Sequence, residues 1–149
     1  MCIRDSYKTG SSSSYAQLAD DPVAAGRLVQ LALYAEAVRG ALGTDFEVGS
    51  AYWFISSRGG FERISLPAAQ ATVDERLRTV LRTVAGGIRN GVFPQVPGEI
   101  DEFRDTFANC RYCDYTRVCP NGRDQQWERK QRSTLCLPYR SLALEKPQP

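Results

Sequence analysis

The sequence predicts a mixed α/β domain on three observations. Apolar residues recur at helical spacing over two stretches, residues 22–42 and 72–90. Between them, residues 46–56 and 61–66 are aromatic and β-branched, and the run Ser-Arg-Gly-Gly that joins them is turn chemistry. Towards the end, Cys110, Cys113 and Cys119 crowd together in a chain with five cysteines in all. The implied order is strand, helix, hairpin, helix, cysteine corner, a mixed layer architecture.

Each element has a local reason. Residues 3–8 read as a short strand, and the polar, serine-rich run 10–21 as a mobile loop. Asp21-Pro22 is a helix start, with Asp as N-cap and Pro at the first helical position. The helix over 22–42 would bury Leu28, Leu31, Ala35, Val38 and Leu42, and Gly43 would cap it. The hairpin follows, with Trp53 expected in the core. The helix over 72–90 would bury Val73, Leu77, Val80, Leu81 and Val84 and stop at Gly91. Two prolines hold the segment GVFPQVPG extended. A short helical turn is expected over 100–107, a last helix over 123–130, and then a proline-marked tail. The first strand has no partner before it, so the predicted domain is incomplete. No internal repeat is present.

Bulk properties bound the function. A chain of 149 residues can bury one real core, and 42% hydrophobic with 24% charged residues is ordinary for a globular protein. No apolar run is long enough to span a membrane, and no apolar signal-peptide core follows Met1, so a cytoplasmic protein without a membrane partner is expected. The formal charge of +2 neither suggests nor excludes a nucleic-acid partner. Arginine dominates the region 104–140, and Arg117, Arg123 and Arg129 have the fixed donor fork that suits phosphates, although a solvated surface explains them as well. Histidine is absent, which excludes His-based triads, HExxH zinc sites and histidine general bases.

The cysteines stand at 2, 110, 113, 119 and 136. An odd number in tight local spacing, with no signal peptide, argues for metal rather than disulfides. Cys110-x-x-Cys113 brings two thiolates to one metal, and Cys119 returns a third. Zinc and an iron–sulfur cluster both take four ligands when closed, and spacing does not separate them. Cys2 and Cys136 are the candidates for a fourth within the chain. Phe107, Tyr112 and Tyr115 are expected to shield the site, with Trp127 packing on the corner and Tyr139 packed as well.

Two weaker motifs precede the corner. Tyr7-Lys8-Thr9-Gly10 ends the first strand. Gln30 and Tyr34 lie four apart on the first helix and so share one face. Taken singly, each reads as a solvated lysine or as boundary residues of an amphipathic helix. Their order, together with the segments LVQLALYAEAVR, GVFPQVPGE and FANCRYCDYTRVCP, resembles the RecB/AddB-type nucleases of the PD-(D/E)XK superfamily, particularly the iron–sulfur members. The resemblance runs from Tyr7 to about Tyr139.

That resemblance implies a restriction-endonuclease-like core, a central sheet flanked by helices, with a C-terminal cysteine-rich metal corner. It implies a Mg²⁺-dependent DNA exonuclease or endonuclease acting in double-strand-break repair and recombination, fused to or partnered by a helicase. Lys8 matches the catalytic lysine. Gln30 and Tyr34 match the QxxxY pair beside the active site. Cys110, Cys113 and Cys119 match three ligands of a 4Fe-4S cluster (zinc being the alternative), whose fourth cysteine lies far upstream, so that the cluster staples the domain's two ends together.

One position departs from the pattern. The family motif reads Asp-Tyr-Lys-Thr-Gly, and here Ser6 stands in the place of Asp. A neutral hydroxyl is a poor Mg²⁺ ligand. Asp5 is one residue out of register, which puts it on the opposite face of the strand from Lys8. The hexapeptide Met-Cys-Ile-Arg-Asp-Ser is also the read-through translation of the transposon end used in preparing sequencing libraries. An Asp codon at the junction becomes Ser. The expectation is therefore a non-native leader over 1–6, the C-terminal part of an N-terminally truncated nuclease domain over 7–107, and the cysteine corner and tail over 108–149. Cys2 and Cys136 then drop out as ligands, the upstream Asp that the family also requires is missing along with the carboxylate at position 6, no Mg²⁺ ligand is intact, and the chain is expected to be inactive and poorly able to hold a full cluster. A non-catalytic DNA-binding module, or a structural protein holding zinc or an iron–sulfur cluster, is the competing reading.

Overall fold

The computed structural model describes residues 2–43, 48–66 and 70–144. Residues 46 and 47 of the predicted strand, Met1 of the predicted leader and 145–149 of the predicted tail lie outside them. The chain divides into two compact units that meet in sequence between Arg82 and Thr83.

The first unit is built on a three-stranded sheet in the order β1-β2-β3, from Cys2–Lys8, Val48–Phe54 and Arg63–Ser65. β1 and β2 run parallel, pairing Ser6 with Tyr52, Tyr7 with Trp53 and Lys8 with Phe54. A parallel pair needs a crossover, and α1 (Gln30–Leu42) supplies it. β3 returns antiparallel as the predicted hairpin, pairing Tyr52 with Ile64. Its turn is tight. Ser56 Oγ accepts from Gly59 N and donates to the Thr9 carbonyl, while Gly60 takes the left-handed conformation at φ 69°. Leu18, Ala24, Leu31, Tyr52 and Phe54 form the core, with Tyr15, Leu28, Ile64 and Leu66 packed against it.

Three expectations need correction here. The serine-rich run is not simply a loop: Ser13–Ala19 is a 3-10 helix that sends Leu18 into the core. The first α-helix starts at Gln30, not at residue 22. Ala24 (φ 47°), Ala25 (φ 54°) and Gly26 (φ 87°) are left-handed and cannot continue a right-handed helix. Asp21 does cap, but it caps this knot, accepting from Val23 N at 3.2 Å and Ala25 N at 2.7 Å. Its carboxylate thus offers the backbone an alternative to helix. Trp53 is 39% exposed, because alternation along β2 points Tyr52 and Phe54 inward and Trp53 out, against Arg63.

α2 spans Gln70–Arg89, and Gly91, at φ 64°, follows its end. Val73, Leu77 and Val80 are buried at helical spacing. Leu81 lies about 100° round the helix from Val80 and is exposed, as is Val84. Arg39 on α1 donates to Asp74 at 2.8 Å.

In the second unit, residues 100–107 form a hairpin rather than a helical turn. β4 (Ile100–Asp101) pairs antiparallel with β5 (Thr106–Phe107). The Asp101–Arg104 ion pair and left-handed Asp105 close its turn, and Asn109 N donating to the Pro97 carbonyl extends the closure. α3 covers Arg123–Lys130, as the sequence predicts. The tail also contains α4 (Leu137–Ala143), with Pro138 in its first turn, where a missing N–H costs nothing. Among the described residues no helix is long and apolar enough to cross a membrane.

Candidate functional site

Strand alternation and helical spacing bring Lys8, Gln30 and Tyr34 together. Lys8 Nζ donates to Gln30 Oε1 at 3.0 Å, and Gln30 Nε2 donates to Tyr34 Oη at 2.8 Å. Lysine has no acceptor, so it must meet the carbonyl end of the amide, which turns the NH₂ end towards Tyr34. Tyr34 accepts, so its own proton donates elsewhere. Ser6, two residues before Lys8 and on the same face, reaches Gln30 Oε1 at a long 3.5 Å.

Tyr52 lies beneath this chain of contacts. The Lys8 ammonium stands 5.0 Å from its ring centroid, a cation–π distance. Burial, then the neighbouring Tyr15 and Tyr34, pushes the Tyr52 hydroxyl up to about 12. Tyr15 meets the rings of Tyr52 and Phe54 edge-on at 4.8 and 5.1 Å. Neither Tyr15 nor Tyr52 was marked by a sequence motif. The alternating pattern of β2 was the available signal for Tyr52; Tyr15, in a serine-rich run, had none.

A second polar cluster fixes the approach to Gln30. Asp21 is 6% exposed and accepts from Arg76 Nη2 at 2.8 Å and Nε at 3.2 Å, besides its two backbone bonds. Burial pushes the Asp21 carboxyl up, but the bonds from Arg76, Ala25 and Val23 outweigh it and hold the group below its ordinary value.

The residues present do not fit a Mg²⁺ ion. Ser6, Gln30 and Tyr34 offer only neutral oxygens around Lys8. Asp5 falls on the other face of β1, where its Oδ1 is buried without a hydrogen-bond partner. A hard dication binds chiefly through carboxylates.

The cysteines are less gathered. Cys110 and Cys119 are half-buried and Cys113 is exposed. Arg123 is held above its ordinary value, first by a hydrogen bond to the Cys110 side chain and then by the nearness of Cys110, Cys119 and Cys113. Among the described residues no three His, Cys, Asp or Glu side chains are grouped to hold a metal ion, so as placed the thiols do not fit a closed site. Tyr112 and Tyr115 are 81% and 74% exposed and shield nothing, contrary to expectation. Cys136 is buried at the start of α4. Tyr139 is half-buried, as is Trp127, and burial pushes the Tyr139 hydroxyl up. Arg117 and Arg129 are exposed.

No curated protein and no solved structure matches the chain. A family model does, over residues 3–120, a span that includes β1 from its second residue, the Gln30–Tyr34 pair and all three clustered cysteines. The small mixed sheet with its crossover helix is consistent with that family's core. On this match the chain belongs to the PD-(D/E)XK nuclease superfamily.

Proposed function

We propose that this chain carries the phosphate-binding side of a DNA nuclease site and, with Ser6 in place, holds DNA without cutting it. The observation that supports this is the Lys8–Gln30–Tyr34 chain of hydrogen bonds. In phosphodiester hydrolysis, water attacks phosphorus while a P–O bond breaks, and negative charge grows on the non-bridging oxygens. Lys8 offsets that charge and orients the phosphate. Gln30 fixes the ammonium against the Tyr52 face, and Tyr34 fixes Gln30, so that little reorganisation is left for the reaction itself.

A chain with Asp at position 6 would hold Mg²⁺ through that carboxylate together with the upstream Asp, and the ion would supply a Lewis acid for the phosphate and a more acidic bound water. Our reading places that protein in recombination and repair, in the cytoplasm, with a helicase as partner. Cys110, Cys113 and Cys119 we assign to a structural iron–sulfur or zinc corner that closes only when metal binds, since such sites couple folding to metal.

The test is metal binding and cleavage together. The unmodified chain is expected to leave supercoiled plasmid intact with Mg²⁺. Ser6→Asp restores one of the two expected carboxylates and is expected to gain a weak Mn²⁺ site visible by electron paramagnetic resonance; nicking is expected only when the upstream Asp is supplied as well, and adding Lys8→Met is expected to abolish it. Cleavage by the unmodified chain overturns the inert reading. No Mn²⁺ binding by Ser6→Asp overturns the placement of the site.

A further inference from the structure

The apolar face of α2 is covered along only part of its length. Val73, Leu77 and Val80 are buried. The same face continues through Leu81, Val84 and Ile88, which are 46%, 51% and 61% exposed. At about 100° per residue, all three fall within roughly 40° of Leu77, so they form one stripe set by the helix alone. Exposed Arg78, Arg82 and Arg89 border it on one flank, again within roughly 40° of one another. From Arg76 to Gly98 the chain has no aspartate or glutamate. Arg76 is already bound to Asp21, whereas among the described residues no ion pair engages Arg78, Arg82 or Arg89. The end of the stripe is held in place. Gly91 N donates to the Ile88 carbonyl at 3.2 Å and Val92 N to the Gly87 carbonyl at 2.8 Å, the paired closure of a Schellman cap.

We propose that this face of α2 docks an acidic amphipathic helix of a partner protein, with aliphatic side chains against Leu81, Val84 and Ile88 and a row of carboxylates against Arg78, Arg82 and Arg89. Single exposed apolar residues are ordinary, but three aligned over successive turns present a ridge that another helix can pack against. The arginine row chooses the partner's sign, since each guanidinium fork matches a carboxylate. The two features together exclude simpler occupants. A nucleic-acid backbone would satisfy the arginines and leave the stripe in water. A second copy packed antiparallel would set arginine row against arginine row, and packed parallel it would set the row against Thr83 and Gly87. Neither arrangement brings a carboxylate. From Leu81 to Ile88 the helix rises about 10 Å, so the contact is short and of the transient class, with charge supplying its specificity.

The test uses the full chain and two fluorescein-labelled, stapled helical peptides. One carries a leucine stripe flanked by glutamates, and the other has lysine in place of each glutamate. Anisotropy at low salt is expected to show the glutamate peptide binding roughly tenfold more tightly, which is what three exposed ion pairs amount to. Ile88→Glu is expected to weaken it roughly tenfold, the worth of one buried aliphatic side chain. Leu42→Glu makes a like change at an exposed position on α1 and is expected to alter binding less than twofold. Arg78→Glu, Arg82→Glu and Arg89→Glu together are expected to reverse the preference, and a gain for the lysine peptide cannot come from a chain that fails to fold. Equal affinity for the two peptides, or equal losses in Ile88→Glu and Leu42→Glu, overturns the proposal. A dimer in sedimentation that Ile88→Glu dissociates assigns the face to a second copy and overturns it too. Duplex DNA binding that the triple replacement removes and Ile88→Glu spares, with neither peptide bound, overturns it in favour of nucleic acid.

Discussion

The two units hold themselves together in different ways. Residues up to Arg82 bury Leu18, Val23, Leu31, Tyr52, Phe54 and Val73 at 2% exposure or less, and bind their buried Asp21 with four hydrogen bonds. From Thr83 onward, Phe93, Phe103, Tyr112, Tyr115 and Val118 are all more than 70% exposed, while Pro97, Cys136 and Leu142 are the buried apolar residues among those described. A segment that buries so little apolar surface cannot offset its own chain entropy, and such segments usually depend on metal, disulfide or partner. The contrast supports reading the cysteines as structural: the unit that lacks a core is the one that carries them.

The largest test of that contrast is metal. With the fourth cysteine upstream, Cys110, Cys113 and Cys119 are expected to hold metal fully only when an added small thiol supplies the fourth donor under anaerobic conditions, brown if the group is iron–sulfur and colourless if it is zinc. A structural zinc site is worth on the order of 10 kcal/mol. Chelation, or Cys110→Ser, is therefore expected to abolish hydrogen-exchange protection from residue 83 onward and to leave protection around Tyr52 and Phe54 intact. Equal loss in both units would break the distinction.

Next comes the buried pair. Asp21→Ala leaves the part-buried Arg76 guanidinium and the Val23 and Ala25 N–H groups without their acceptor, and losing hydrogen bonds to a charged group costs roughly 1.5–3 kcal/mol. Chemical denaturation should show that loss in the first unit. The pH dependence has a definite sign. The folded carboxyl titrates below the ordinary value of 3.8, so its contribution is fully present above that value and is lost as pH falls through the lower folded value. Asp21→Asn is expected to flatten that acid limb; an unchanged limb assigns it to other carboxylates.

Gly59 sharpens the picture at the hairpin. A Cβ there would sit 2.7 Å from Phe54 Cβ and 2.8 Å from the Gly10 carbonyl, both closer than packing allows. Gly59→Ala is expected to cost roughly 1–3 kcal/mol as overpacking. A melt unchanged from the parent chain would mean that the turn shifts freely, and that the β1 end beside Lys8 is less fixed than its contacts suggest.

What the sequence made legible follows the same division. Lys8, Gln30 and Tyr34 were legible through the family resemblance; helical spacing put Gln30 and Tyr34 on one face, but nothing local tied Lys8, 22 residues before Gln30, to that face. The start of α1 was not. Asp21-Pro22 announces a cap whether a helix or a left-handed knot follows, and the partner that settles it, Arg76, lies 55 residues away. The hairpin over 100–107 was missed for a similar reason. Its strands are two residues each, too short to show alternation, and its closure depends on the Asp101–Arg104 pair and on Asp105. In the cysteine unit the spacing suggests a ligand set, but how thiols converge in such a site is set by the metal, which spacing does not specify.

The smallest expected effect concerns Trp53, which looks like core in the sequence and faces solvent in the fold. Its neighbours in the chain, Tyr52 and Phe54, are buried at 1% and 2%. Its pairing partner on β3 is Arg63, whose guanidinium lies 5.5 Å from the indole. An exposed cation–π contact of this kind contributes about 0.5–1 kcal/mol. Trp53→Ala should therefore cost about 1 kcal/mol, whereas Phe54→Ala one position on should cost about 3–5 kcal/mol as a core truncation. Comparable losses at the two positions would mean that the outer face of the sheet is covered in solution. The free surface that separates Trp53 from its neighbours would then belong to a contact with another chain.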